Sequence, residues 1–275
     1  MSSNISLKLY NLIKTGIIKT NAHFWKSFYN EDYINTLPCD LQVVEQELKE
    51  KGINVICVFD KNFPSANVKL KNSEKPFLFA YKGDITLLNN VDKNVAVIGV
   101  LTPTNEIVER EQKVVKSLTK KGYNIVSGLA KGCDTVAHIE SVKNNAKTIA
   151  FLPSTIENTY PKENIGLANE IIKNDGLLIS EYVNEPKNKY ENVKRFIERD
   201  RLQALYSKAV VLIASYRKGE GDSGSRHAFE KAKEYGKKRL VMYRESDSNN
   251  LQFGLNKDYV KQGEKIVSLK EIEVL

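Results

Sequence analysis

Three glycine-rich segments are the part of this sequence best suited to bind an anion. They span residues 97–104, 127–134 and 218–226, and each follows a short apolar run and precedes a helical pattern. Glycines and other small residues leave backbone N–H groups open, and the positive end of the following helix points to the same place. In the first segment, Gly99 lets the backbone turn and Thr104 starts a helix. These features predict a cradle for a phosphate group.

A cluster of arginines could supply the positive charge of such a site. Residues 195–201 read Arg-Phe-Ile-Glu-Arg-Asp-Arg and hold three of the eight arginines in the chain. The arginine fork is always charged and binds phosphate through two parallel hydrogen bonds. The alternative is a helix whose charges pair with each other at four-residue spacing. We predict that Arg195, Arg199 and Arg201 belong to the anion site.

The sequence lacks the usual signatures of cofactor, metal and catalytic sites. No segment contains the dinucleotide pattern G-x-G-x-x-G or the Walker pattern G-x-x-x-x-G-K-S/T. The cysteines, at positions 39, 57 and 133, form no C-x-x-C pair, and the three histidines are dispersed. Asp134 and His138 could form an acid–imidazole pair. We expect instead that Asp134 caps its helix and that His138 bonds to it or to a neighbouring loop. We therefore predict no cofactor, no metal and no catalysis.

Composition favours an anionic partner without locating its site. The chain has 275 residues, 42 lysines and arginines and 34 acidic residues, so its net charge is +8. Nucleic acid is the first candidate partner for such a charge. However, 34 of the cations are scattered lysines, a bias that AT-rich genomes also produce. The apolar runs are far shorter than the roughly 20 residues of a membrane span. We expect a cytoplasmic protein without a membrane partner.

The elements that must position these segments alternate from about residue 53. Predicted strands span Asn54–Phe59, Val95–Gly99, Asn124–Ser127, Thr148–Leu152, Leu177–Ser180, Ala209–Ala214 and Arg239–Tyr243. Predicted helices span Thr104–Lys121, Asp134–Asn144, Lys162–Asn174, Val193–Ser207 and Ser225–Tyr235. This alternation predicts an α/β fold with a doubly wound, mostly parallel Rossmann-like sheet. Ligands bind such sheets at the carboxyl ends of the strands, where the three segments lie.

The first 50 residues have a different pattern. Apolar residues recur at helical spacing, and Gly52 is placed to end the last helix. An aromatic group between residues 24 and 33 could stack bases, although such a group is more often the core of a small helical domain. We predict two domains: a helical one over 1–52 and a Rossmann-like one over 53–275.

The block Ser-Gly-Leu-Ala-Lys-Gly-Cys-Asp-Thr-Val-Ala-His at residues 127–138 resembles the signature of the DprA/Smf family of bacterial DNA-processing proteins. Other motifs follow in the family's order over about residues 53–270. Among them are Asp60–Pro64, Tyr160-Pro161, Arg199-Asp200-Arg201 for the family's Arg-Asn-Arg, and Ser223–Ser225. The resemblance implies a Rossmann-like domain that binds single-stranded DNA, helps to load a RecA-type recombinase during natural transformation, and often forms a homodimer.

The resemblance also implies which residues line the DNA pocket. Carried over by position, they are Ser127, Gly128, Gly132, Arg199, Arg201, Ser223, Gly224 and Ser225. We add Lys131 on its charge alone. The chain departs from the family at Leu101, where the family has an arginine, and at Asp200, where it has an asparagine. Arg226 is placed to restore the missing cation.

Three functions fit these observations. The first is a single-stranded DNA-binding mediator of DNA processing or recombination, without catalysis of its own. The second is a nucleotide-binding sensor, which the loss of an arginine at Leu101 favours. The third is a nucleotide phosphoribohydrolase, whose motif Pro-Gly-Gly-x-Gly-Thr-x-x-Glu is out of register here, since the nearest acid is Glu230.

Overall fold

A nine-stranded sheet organises the protein in a computed structural model that describes residues 2–66 and 68–275. The strand order is β1-β2-β6-β5-β4-β3-β7-β8-β9. The strands are β1 Asn54–Cys57, β2 Leu78–Gly83, β3 Asn94–Ile98, β4 Asn124–Ser127, β5 Thr148–Phe151, β6 Leu177–Ser180, β7 Ala209–Leu212, β8 Lys238–Val241 and β9 Lys265–Ile266. Neighbours from β6 to β9 are parallel, whereas β1 and β2 are antiparallel at one edge. The predicted α/β, doubly wound and mostly parallel sheet is confirmed.

Helices cover the sheet, and some of them precede its first strand in the chain. They are α1 Asn4–Lys14, α2 Asn21–Ser27, α3 Glu31–Thr36, α4 Leu41–Lys51, α5 Asn105–Lys120, α6 Cys133–Lys143, α7 Ile165–Lys173, α8 Lys189–Leu205, α9 Arg226–Glu234, α10 Gly254–Lys261 and α11 Leu269–Glu273. Local sequence sets their ends. The Thr104 side chain caps α5, and Gly52 ends α4 in the left-handed conformation, as predicted. Within the described residues, no helix is long and apolar enough to cross a bilayer.

The central strands are apolar on both sides because helices bury both faces of the sheet. Along β3, Val95 and Val97 pack into one core with α5 and α6, whereas Ala96 and Ile98 pack into the opposite core with α8 and α9. All residues of β3 are buried. Such strands leave only their ends for a ligand.

The first four helices share a core with one edge of the sheet. Leu9, Leu12 and Phe24 lie in one apolar cluster with Val55 of β1 and Ala80 of β2. The aromatic group at residues 24–33 contributes to this cluster through the fully buried Phe24. The division into domains at residues 1–52 and 53–275 stays a prediction.

The strand order creates a switch point between β3 and β7. From β3 the chain adds β4, β5 and β6 on one side, then returns to place β7, β8 and β9 on the other. Connections that leave β3 and β7 therefore diverge to opposite sides of the sheet and open a crevice at their carboxyl ends. The three glycine-rich segments follow β3, β4 and β7, so the topology brings them together there.

Candidate nucleic-acid interface

A pocket of about 310 Å³ lies at the carboxyl ends of β3, β4 and β7. Its lining from the glycine-rich segments is Ile98, Gly99, Leu101, Ala130, Lys131, Asp134, Asp222, Gly224 and Ser225. Its lining from α8 is Phe196, Arg199, Asp200 and Gln203, and Tyr160 and Pro161 come from the connection after β5. The pocket therefore joins all three segments and the second arginine of the cluster.

Arg199 is the most unusual residue of the pocket because it is buried without hydrogen-bond acceptors. Its side chain is only 4% exposed, and neither Nε nor Nη1 donates to any group of the described residues. Two carboxylates lie near it: Asp200 Oδ1 is 3.4 Å from Nε and Asp134 Oδ2 is 3.8 Å from Nη1. Buried donors normally have partners, so this guanidinium is suited to an anion that enters the pocket.

Gly128 is a glycine because the Arg199 guanidinium lies directly over it. A Cβ at this position would be 1.0 Å from Arg199 Nη1. Gly132 is restricted in a similar way, since it has φ of +72° and a Cβ there would be 2.3 Å from the Val100 carbonyl oxygen. These two glycines allow the segment after β4 to fold against Arg199 and against the segment after β3.

Asp134 and His138 do not make the contacts that we expected from the sequence. Asp134 Oδ2 accepts hydrogen bonds from the backbone N–H of Gly128 at 3.1 Å and of Ala130 at 3.3 Å, so it holds the loop before α6 instead of capping that helix. His138 Nδ1 lies 2.7 Å from Thr148 Oγ1 in β5. Burial lowers the pKa of His138 to about 3, so its ring is neutral and is not an acid–imidazole partner of Asp134.

The structure brings Gly99, Lys131, Arg199, Gly224 and Ser225 of the predicted site residues into the pocket. Lys131 is exposed there and pairs with Glu163 at 2.7 Å. The Ser225 Oγ is buried and has no partner among the described residues. Gly128 and Gly132 support the pocket from behind it, as described above. Their roles in binding stay predictions.

Six other predicted residues lie outside the pocket lining or have other partners. Thr104 caps α5, and Ser127 is buried with its Oγ donating to the Val97 carbonyl oxygen at 2.7 Å. Ser223 and Arg226 belong to the third segment but not to the lining, and Arg226 Nε lies 3.9 Å from Glu230 Oε1. Arg195 and Arg201 are the remaining two.

The first and third arginines of the cluster are occupied by protein partners. Arg195 is 2% exposed and bonds to Asn184 and Glu191. Arg201 is 5% exposed and pairs with Glu181 at 2.7 Å. Neither contact favours the DNA-binding role that we predicted, which stays untested for both residues.

Sequence reasoning did not propose Asp222, Gln203, Phe196 and Tyr160 as site residues. Asp222 ties two segments together, since its Oδ2 accepts from the Leu101 N–H at 2.7 Å and its Oδ1 from the Gly224 N–H at 3.2 Å. The aromatic rings of Tyr160 and Phe196 meet edge to face, with centroids 5.7 Å apart. The signal for Phe196 was available, because it lies three residues before Arg199 on the same face of α8.

The carboxyl of Asp200 titrates near neutral pH in this pocket. Burial raises its pKa, the Arg199 guanidinium lowers it, and the charges of Asp134 and Asp222 raise it again, so that the pKa is about 7. Lys131 is the remaining charged group of the lining. When the pH is below this pKa, the Asp200 carboxyl is neutral and the pocket has one negative charge fewer.

We therefore expect a polyanion to bind more weakly as the pH rises from about 6 to about 8. A unit charge appearing within roughly 5 Å of the ligand corresponds to about 1 kcal/mol, or roughly fivefold in affinity. Fluorescence anisotropy with a labelled oligonucleotide across this pH range checks the prediction. Asp200→Asn should flatten the profile, and an equally steep profile in that variant would contradict the assignment to Asp200.

A family model described as DNA recombination-mediator protein A matches residues 54–273. The chain belongs to this family. It is 33% identical to DNA processing protein DprA of Bacillus subtilis over 179 residues, which cover 64% of this chain and 56% of that protein. It is also 33% identical to protein Smf of Borreliella burgdorferi over 211 residues, which cover 74% of this chain and 62% of that protein. The resemblance to DprA/Smf is confirmed, although the matches span less than two thirds of either relative.

Two solved structures of DNA processing protein A share the fold. The one from Streptococcus pneumoniae superposes with a TM-score of 0.76 at 24% identity and covers all of this chain and 98% of that chain. The one from Helicobacter pylori has a TM-score of 0.64 at 26% identity, over 80% of this chain and 94% of that chain. The Helicobacter pylori structure is described as showing a single-stranded DNA binding mode.

Proposed function

We propose that this protein binds single-stranded DNA at the pocket between β3, β4 and β7 and acts as a mediator of DNA processing or recombination. The observation that carries this proposal is the buried Arg199 guanidinium, whose Nε and Nη1 have no acceptor among the described residues. Family membership and the Helicobacter pylori relative support DNA as the ligand. A phosphate oxygen would give the guanidinium the acceptor that it lacks.

The role we propose needs no bond-making step. The polar groups of the pocket donate or accept hydrogen bonds, and aromatic rings provide stacking surfaces, which are the means of single-strand binding proteins. Glu230, the acid nearest to the phosphoribohydrolase position, is not part of the pocket lining. Following the family, we also propose a homodimer and a RecA-type recombinase as partners. Light scattering of the pure protein and co-purification with its own recombinase test these two partners.

The direct test measures affinity for single-stranded and double-stranded oligonucleotides at two salt concentrations. Binding should favour the single strand, and affinity should fall steeply with salt because phosphate contacts release counterions. Unlabelled mononucleotides serve as competitors. Displacement of the oligonucleotide at micromolar mononucleotide, together with weak binding of the oligonucleotide itself, would favour the nucleotide sensor, the alternative suggested by Leu101.

Lys131 offers a further prediction with a matched control. Lys131 and Lys147 each form an exposed pair, with Glu163 and with Asp175, both at 2.7 Å. Lys131 lines the pocket, whereas Lys147 precedes β5 at the opposite end of the sheet. We expect Lys131→Ala to lower single-strand affinity roughly fivefold, because one positive charge of the pocket lining is lost. Lys147→Ala should leave it unchanged. Equal losses in the two variants would show that only the net charge matters.

A further inference from the structure

The floor of the pocket presents hydrogen-bond acceptors that a phosphate cannot use. Asp200 and Gln203 lie three residues apart on α8, so both face the pocket. Gln203 Nε2 donates to Asp200 Oδ1 at 3.2 Å. This bond orients the amide and leaves Gln203 Oε1 buried without a donor among the described residues. A ligand that donates N–H groups would satisfy Gln203 Oε1 and Asp200 Oδ2, the carboxylate oxygen that Gln203 does not bond.

The walls around these acceptors suit a nucleobase. Tyr160 is 52% exposed, and its ring meets that of Phe196, so both offer apolar surface at the pocket mouth. Leu101 adds a further apolar side chain, 45% exposed. Bases stack on such side chains with little regard to sequence. A pocket of about 310 Å³ is at the small end for organic ligands, which fits one base and its sugar.

Bases differ in how many N–H groups they offer on their Watson–Crick edge. Guanine offers three, through N1 and the 2-amino group, while adenine and cytosine offer two through a single amino group. Thymine and hypoxanthine offer one. Single-stranded DNA leaves this edge free for the protein. Because ionised Asp200 only accepts, whereas the asparagine of the family also donates, the substitution favours the base with the most donors.

We propose that this pocket selects guanine in single-stranded DNA, with Asp200 and Gln203 accepting hydrogen bonds from its N1–H and 2-amino groups. The proposal rests on the proposed function, since the base must arrive as part of a bound strand. Arg199 lies beside these acceptors, with its Nε 3.4 Å from Asp200 Oδ1. Arg199 can therefore hold a phosphate oxygen of the same strand while Asp200 and Gln203 bind the base.

The test uses dodecamers that differ only in alternate bases: thymine with guanine, thymine with hypoxanthine, thymine with cytosine, and thymine alone. At about pH 8, where Asp200 is ionised, we expect the guanine dodecamer to bind roughly tenfold more tightly than the thymine and hypoxanthine dodecamers. This ratio is within the discrimination that a good bidentate contact provides. Cytosine should fall between them. The comparison with hypoxanthine isolates the 2-amino group, because the two bases are otherwise the same.

Variants separate base selection from charge. Asp200→Asn and Gln203→Leu should each reduce the guanine preference to about threefold or less. Glu230→Gln removes one negative charge from α9 outside the pocket lining, so it should keep the preference. Single-strand binding with equal affinities for all four dodecamers in the unmodified protein would overturn base selection and leave the proposed function intact. Absence of single-strand binding would overturn both.

Discussion

Replacement of Arg199 by methionine should lower the affinity for single-stranded DNA roughly 10- to 100-fold. A hydrogen bond to a charged group is worth about 1.5–3 kcal/mol, and two donors of this guanidinium have no acceptor among the described residues. The slope of log affinity against log salt should flatten by about one, because one phosphate contact is lost. Anisotropy titrations at several salt concentrations measure both quantities. Methionine retains much of the length of the side chain, so the packing of α8 is retained.

Gly128→Ala tests the same contact without removing the charge. The new methyl group would occupy the place of Arg199 Nη1, so the guanidinium must leave its present position. We expect a loss of affinity close to that of the methionine variant, with the net charge unchanged. Gly166→Ala is the control, because a Cβ there meets no described atom within 4 Å and, as at Gly128, no left-handed φ adds backbone strain. Normal binding by Gly128→Ala would show that the position of the guanidinium does not matter.

The place of the pocket, at the carboxyl ends of β3, β4 and β7, could be predicted from sequence because it follows from the topology of parallel sheets. Strand and helix patterns identified β3, β4 and β7, and parallel strands bring the loops that follow them to one edge. Strand β2, the second from one edge of the sheet, was missed since Leu78–Gly83 has no helical connection to a parallel partner and pairs antiparallel with both neighbours. Its pairing with β6 joins residues about a hundred positions apart, which local patterns do not contain.

The partners of individual charges could not be predicted from sequence. Spacing suggested a cap for Asp134, yet tertiary packing left its carboxylate closer to the N–H groups of the preceding loop. The three arginines of α8 looked equivalent, but each contacts different groups. Arg195 meets Asn184 and Glu191, Arg199 meets the pocket, and Arg201 meets Glu181. Only the positions of these partners in space separate a structural arginine from a binding one.

Replacement of Arg201 by methionine should destabilise the fold by about 3–5 kcal/mol, because it leaves the Glu181 carboxylate buried without its cation. The pair is 2.7 Å apart, with side chains 6% and 8% exposed. Arg201 also donates to the backbone oxygens of Glu74 and Glu198 at 2.9 and 2.6 Å. It thus joins α8 to the segment before β2 and to the end of β6. Urea unfolding followed by circular dichroism should show a lower midpoint with an unchanged slope.

Two comparisons determine whether the buried charge causes this loss. Adding Glu181→Gln to the methionine variant should recover part of the stability, since the uncompensated charge is gone while Gln keeps an acceptor for Asn21, which donates to Glu181 at 3.1 Å. Arg217→Met breaks a pair with Asp258 whose side chains are 38% and 32% exposed, so it should leave the urea midpoint nearly unchanged. If the double variant were no more stable than Arg201→Met, the lost backbone contacts would account for the effect, and the buried pair would not be its cause.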